Sequence, residues 1–340
     1  MPDAAAAEAI IEAAFWASLQ HEEGYRPKIS LAYLPPEMVL YPMMFQRSLP
    51  LSPAALTKVA PAVKRPGIHL GVWHGETGLH VWGTSRLLPR FCLVLEVIEP
   101  GLLVVKYPRT EDYTKFRNVV VLQGSIIKVI DERDVGTPER SGLLESLLGV
   151  GPTASRVDRG NVLIQLAISM RAHGRGGTLL MVQPNSTTWR QSFVEPVTYP
   201  VSPPFRELTE LIAEHPDSND RTMQERFRRT IDAIAGLTAV DGAALMNSRF
   251  ELLAFGAKIR ARSNYEVEEV ILTEPVRDNI PERVHITRLG GTRHLSAAQF
   301  VSDERDAVAL VASQDGRFTV FAWSSAEDRV HAHRLDVLLL

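Results

Sequence analysis

At 340 residues and 37.8 kDa the chain is long enough for two domains of roughly 100–200 residues each. Its 45% hydrophobic and 23% charged residues match the globular average and exclude collagen-like, disordered and coiled-coil classes. Thirty-seven Lys and Arg against 40 Asp and Glu leave a formal charge of -3, without the basic excess of a protein that coats nucleic acid.

The N-terminal residues from Met1 lack a basic leader and are interrupted by Glu8, Glu12, His21, Glu22 and Glu23, so no signal peptide is expected. Ile11, Phe15 and Leu19 at four-residue spacing predict an amphipathic helix over 4–19. Short apolar runs at 68–73, 79–82, 91–97, 102–107 and 119–130, punctuated by Gly and Pro, predict a sheet-rich region. The longest apolar stretch, 91–105, is cut by Glu96, Glu99, Pro100 and Gly101, so a soluble protein with no membrane insertion is expected. Cys92 is the single cysteine, which rules out an intrachain disulfide or a Cys-rich zinc site and fits a reducing cytoplasm.

A helix over 158–172 runs into His173-Gly174-Arg175-Gly176-Gly177 and a strand at 178–182. Pro196, Pro200, Pro203 and Pro204 remove backbone donors and favour extended geometry, and the domain boundary is placed there, giving domains 1–202 and 203–340. Helices at 205–214 and 221–235 follow, then strands at 242–246 and 250–259, a helix opening at Gly290-Gly291-Thr292, and a hairpin of 306–312 with 318–323. The fold class is α/β in two domains, the first sheet-rich and the second a mixed sheet flanked by helices.

Two short motifs could carry chemistry. Asp241-Gly242-Ala243 lies at the mouth of a strand, where a carboxylate can hold a divalent cation and a glycine admits a ribose or phosphate to the backbone; as a bare Asp-Gly it also reads as an ordinary turn. Gly290-Gly291-Thr292-Arg293-His294 opens a helix, whose free N–H groups and dipole, with the Arg293 fork, suit phosphate; the alternative is a loop in which Thr292 only caps the helix.

In this order and frame the motifs resemble the diadenylate cyclase (DAC) domain, over about residues 222–334. Asp241-Gly242-Ala243 is similar to its DGA motif, Gly291-Thr292-Arg293-His294 to the start of its GTRHR motif, and 250–259 to the hairpin strand that covers adenine. The resemblance implies a nucleotidyltransferase in which the 3′-hydroxyl of one ATP attacks the α-phosphate of another, releasing pyrophosphate and closing cyclic di-AMP. It implies Asp241, Arg293 and His294 as catalytic residues, Gly242, Ala243, Ile259, Gly291, Thr292 and Ser296 around the nucleotide, and Asp241, His294 and Asp315 around Mg²⁺ or Mn²⁺. It also implies a homo-oligomer with opposed active sites, and a downstream effector that reads the product.

Four departures from the family pattern stand out. Leu295 replaces the second Arg of RHR, Gln314-Asp315 stands where an acidic pair is usual, Ile259-Arg260 replaces Leu-Pro, and the long interval before Arg293 implies an insertion around 265–287. Two alternatives therefore stay open: a catalytically silent nucleotide-binding sensor, and a synthase of linear oligoadenylate from ATP or dATP in anti-phage signalling. In the N-terminal half, His173 to Thr178 with Trp189 resembles the DACNV sensor domains that precede some bacterial cyclase domains. His69, His74 and His80 lack helical metal-site spacing, and His331 and His333 are expected on the solvated face of a terminal strand.

Overall fold

The computed structural model describes residues 2–21, 26–89, 91–108, 116–130, 159–184, 186–214, 221–262 and 266–340. Backbone packing divides the chain into two units, Met1–Asp131 with Leu340, and Glu132–Leu339. Each is a mixed α/β unit with its own sheet. Among the described residues no helix is long and apolar enough to cross a membrane.

The first unit contains α1 (Ala4–Ser18), β1 (Ser30–Tyr33), β2 (Met43–Pro50), α2 (Pro53–Val59), β3 (His69–Gly75), β4 (Gly78–Ser85), β5 (Leu93–Glu99), β6 (Leu102–Pro108), β7 (Phe116–Gln123) and β8 (Ile126–Val129). They form a sheet in the order β2-β4-β3-β1-β5-β6-β7-β8, with β1 parallel to β3 and antiparallel to β5. Helix α1 starts where the Asp3 carboxylate accepts the Ala6 N–H at 2.8 Å, satisfying one free donor of the first turn. It buries Ile10, Ala14 and Ala17 against Leu31, Leu56, Leu70 and Leu95, whereas Leu19, expected on the buried stripe, is exposed. The single run expected over 119–130 is a hairpin, because Gly124 at φ +58° reverses the chain between β7 and β8.

The second unit contains α3 (Arg159–Ala172), β9 (Gly177–Val182), β10 (Tyr199–Phe205), α4 (Glu207–Glu214), α5 (Arg221–Leu237), β11 (Ala243–Asn247), β12 (Leu252–Ala257), β13 (Glu269–Thr273), β14 (Glu282–His285), α6 (Thr292–Asp303), β15 (Val308–Ala312), β16 (Phe318–Ser324) and β17 (Arg329–Arg334). The sheet order is β10-β12-β11-β9-β15-β16-β17-β13-β14. Alternation along the central strands sorts two cores. Leu179 and Met181 pack with Ala244, Met246 and Leu310 against Leu163, Leu166, Ile231 and Ile234 of α3 and α5. Leu180 and Val182 pack with Ala309, Val311 and Phe321 against Ala297, Phe300 and Val301 of α6. Helices thus cover both faces, as continuous apolar strands require.

The packing boundary lies before Glu132, not at 202/203. The proline segment read as a linker is β10, an edge strand that pairs with β12. Proline is tolerated there because an edge strand leaves one side of its backbone unpaired. The insertion inferred around 265–287 contains the β13–β14 hairpin, appended parallel to β17. His331 and His333 do alternate on β17, but both are buried: His333 Nδ1 lies 2.6 Å from Thr273 Oγ1, and the two rings pack 5.9 Å apart.

Strand β9 lies between β11 and β15, so a fragment starting at residue 203 leaves both neighbours with an unpaired backbone edge. A fragment 203–340 is expected to show no cooperative thermal transition by circular dichroism, whereas 132–340 melts cooperatively. A sharp transition in the shorter fragment would show that β9 is dispensable.

Candidate functional site

Strand register gathers the candidate residues. Ala243 pairs with Ala257, Ala244 with Leu179, Gly177 with Ala312, and Ala312 with Phe318. The start of β11 with Asp241-Gly242, the start of β9 with Gly176-Gly177, and the end of β15 with Ser313-Gln314 therefore share one end of the sheet. At about 4.8 Å per strand, the chain at Asp241 and at Ser313 is roughly 10 Å apart.

At one side of this end, Gly242 has φ +106°. A Cβ there would come within 2.5 Å of the Gly256 carbonyl carbon. Gly256, at φ +64°, lies under Tyr199, whose ring stacks on Phe255 with centroids 4.8 Å apart and planes 17° from parallel. The glycine pair is thus what lets β11 open against the end of β12. The Asp241 side chain is 90% exposed, with Lys258 Nζ 3.5 Å from its Oδ2. So open an ion pair adds little stability and leaves the carboxylate accessible. Ala243 is buried, and Ile259 packs half-buried against the core on the α6 side, its backbone bridging Phe193.

At the other side, α6 opens with Gly291 as its extended N-cap, at φ -87° and ψ -152°, and no side chain caps it. Thr292, read in one alternative as the cap, is the first helical residue, and both it and Arg293 are exposed. The helix therefore presents uncapped N–H groups and its positive dipole end beside a guanidinium. Arg293 Nη1 lies 3.1 Å from the position a Cβ would take at Gly176, and Gln314 Nε2 donates to the Arg175 carbonyl at 3.3 Å. Burial, then the charges of Arg175 and Arg293, push the His173 ring below its usual pKa.

His294 differs from its expected role. It is 3% exposed, its ring meets Phe321 edge-on at 6.0 Å, and Nε2 lies 3.5 Å from Ser313 Oγ. A side chain at Gly290 would collide with the imidazole. Chiefly through burial its pKa falls to about 4, with Asp315 opposing and Arg334 and Arg317 adding. A neutral ring wedged under the first turn positions the helix; it is not an open ligand. Ser296 is half-buried, and Leu295 is 40% exposed. Asp315 is exposed in the β15–β16 turn, 3.4 Å from Arg317 Nε.

Among the described residues no group of three or more His, Cys, Asp or Glu side chains could hold a metal ion, so Asp241, His294 and Asp315 form no preassembled centre. Mg²⁺ and Mn²⁺ prefer oxygen ligands and often use one or two carboxylates with substrate phosphates. The accessible Asp241 carboxylate fits that mode.

The loop 173–177, Gly256, Lys258 and the Tyr199–Phe255 stack join the expected residues. The glycines of the loop are visible in the sequence, but their proximity to Arg293 depends on the β9–β15 register. The family model described as "Probable sensor domain DACNV" matches residues 1–86, from before α1 to the end of β4. The DACNV likeness therefore lies in the first unit and not on His173 to Thr178 or Trp189, which belong to the second. No curated protein matches the chain.

A His held at a folded pKa of about 4 binds a proton less readily than the unfolded chain, whose His pKa is about 6.5. The stability it confers is full above pH 6.5 and is lost as pH falls toward 4, by up to about 1.4 kcal/mol per pH unit. Thermal melts from pH 7.5 to 4.5 should fall less steeply in His294→Gln than in wild type. Parallel slopes would show that His294 titrates normally.

Proposed function

We propose that the second unit is a DAC-like nucleotidyltransferase that joins ATP molecules through 3′-hydroxyl attack on an α-phosphate. The observation that carries this reading is the convergence, at one sheet end, of the Gly242–Gly256 crossing beside Asp241 with the uncapped α6 opening beside Arg293. The two halves suit the two ends of a nucleotide. The stacked Tyr199–Phe255 pair offers an aromatic surface beside the glycines, and the helix opening with Arg293 offers donors for phosphate oxygens.

In this mechanism Asp241 orients the 3′-hydroxyl, whose oxygen forms the new P–O bond as the bond to pyrophosphate breaks. The hydroxyl proton passes to Asp241 or to solvent. Arg293 and the α6 N–H groups hold the departing negative charge, so rate comes from alignment and preorganised charge. Asp241 would be the residue to hold a divalent cation, which would supply further charge neutralisation. Because one protomer presents one such sheet end, ring closure needs two protomers with opposed sites. The DACNV-matching first unit, of a type associated with DAC proteins, then serves as the regulatory module.

A second reading, nucleotide binding without turnover, is favoured by Gln314, whose amide engages the Arg175 carbonyl where the family places an acidic group. A third, linear oligoadenylate synthesis from ATP or dATP, is favoured by the missing cation at Leu295. Incubating the protein with ATP or dATP and Mn²⁺ and resolving products by mass spectrometry separates the three.

Asp241→Asn should abolish pyrophosphate release with an unchanged melting temperature, and full turnover in a folded variant would remove Asp241 from the mechanism. Arg293→Ala should weaken a non-hydrolysable ATP analogue by roughly 1.5–3 kcal/mol, about tenfold to a hundredfold in calorimetry. Because Leu295 is substantially exposed, Leu295→Arg buries no charge and should melt like wild type while raising the cyclic share of the product. A wild-type product that is already wholly cyclic would exclude that role for Leu295.

A further inference from the structure

Seven of the sixteen large apolar side chains exposed among the described residues border one small core cluster of the first unit. Met38, Leu40, Tyr41, Met43 and Met44 come from the connection between β1 and β2 and from the start of β2, and Leu87 and Phe91 from the loop after β4. They share one patch because Val39, Leu88 and Cys92, buried together with Trp82, are their chain neighbours, and because Met43 and Met44 pair with Thr84 and Gly83 beside Trp82. Tyr41 is 85% exposed at φ +59°, a left-handed backbone that a bulky residue rarely adopts. Taking roughly 150–250 Å² for a fully free large side chain, the seven, each more than half exposed, offer on the order of 800 Å². That exceeds the roughly 300–600 Å² of the largest patch on an ordinary monomer and matches the roughly 800 Å² that each partner gives to a stable interface.

The charges that bracket the patch point to its occupant. Glu37 and Arg47 are exposed, and neither makes an ion pair with another described residue. In the chain they stand symmetrically about Pro42, with the apolar run between them. A two-fold axis beside Pro42 therefore sets Glu37 of each copy against Arg47 of the other, and Leu40 and Tyr41 against Met44 and Met43 of the other. An interface between identical copies requires this self-complementarity, whereas a different protein would not. The contact is made by side chains and not by strand addition. β2 is an edge strand, but its ladder with β4 shifts register between Met44 and Leu49, and a bulged edge is a poor template.

We propose that this patch is a homodimer interface of the first unit, in which two copies pack about a two-fold axis near Pro42 with Tyr41 at its centre. The interface is independent of the nucleotide chemistry and survives if that reading fails.

Sedimentation velocity of the full chain without nucleotide, across the micromolar range, tests it. A reversible monomer–dimer equilibrium is expected. Tyr41→Asn removes the central ring but keeps a residue that tolerates the left-handed backbone, and should weaken dimerisation by about tenfold or more. Glu37→Arg and Arg47→Glu each face like charges across the axis and should each weaken it by about tenfold. Combined in one chain, the two should restore the affinity to within about threefold of wild type, an effect that mere loss of packing would not give. A chain that stays monomeric throughout overturns the proposal, as does a dimer that ignores all three substitutions or one that the charge exchange fails to restore. A dimer that forms only with ATP, persists in Tyr41→Asn and is lost in Arg293→Ala belongs to opposed nucleotide sites and also overturns it.

Discussion

The arrangement of the second unit depends on the register of β9 with its two neighbours. β9 runs parallel to β11 and antiparallel to β15, so the starts of two strands and the end of a third are forced to one edge of the molecule. A shift by a single residue would turn Leu179 and Met181 toward α6 and Leu180 and Val182 toward α3, exchanging two cores of different shape. That penalty locks the register, which brings Gln314 beside Arg175 and, together with the packing of α6, Arg293 beside Gly176. Gly177 allows the lock, because a side chain there would collide with Thr238.

The candidate site inherits two kinds of rigidity. On the β11 side, backbone crosses backbone with no side chain between, which fixes the opening beside Asp241 as firmly as the sheet itself. On the α6 side, the neutral His294 ring fills the space beneath the first turn and leans on Phe321, so the donors of that turn are held from below while their outer side stays open. Flexible charge on a rigid base is well suited to a ligand whose own charge is spread over several oxygens.

Much of this was legible in the sequence where local pattern decides. The apolar runs at 178–182 and 306–312 are strands because they are short, β-branched or aliphatic and bounded by Gly, Ser or Asp. What was not legible is set by partners distant in the chain. Pro200, Pro203 and Pro204 read as a linker because proline excludes central strands, and only the sheet order shows that they sit on an edge. The alternation of His331 and His333 placed them on one face but could not say that β13 would pair there and bury them. His294 looked like a ligand by motif, and its burial arises from Phe321, a residue on another strand. The motif pair itself was visible, whereas the loop at 173–177 had no local sign that it faces Arg293.

The sheet of the second unit ends in two very different borders. On one side β10 carries three prolines, which lack amide donors and so leave gaps in any ladder built along that strand. On the other, β14 is only four residues long and bears Glu282, Arg283 and His285, too short and too polar to template a further strand. Neither border invites continuation of the ladder, so this unit is protected against open-ended, amyloid-like stacking of sheets. The open surfaces of this unit are then its strand ends and helical faces, and the strand ends are where the accessible Asp241 carboxylate and Arg293 guanidinium lie.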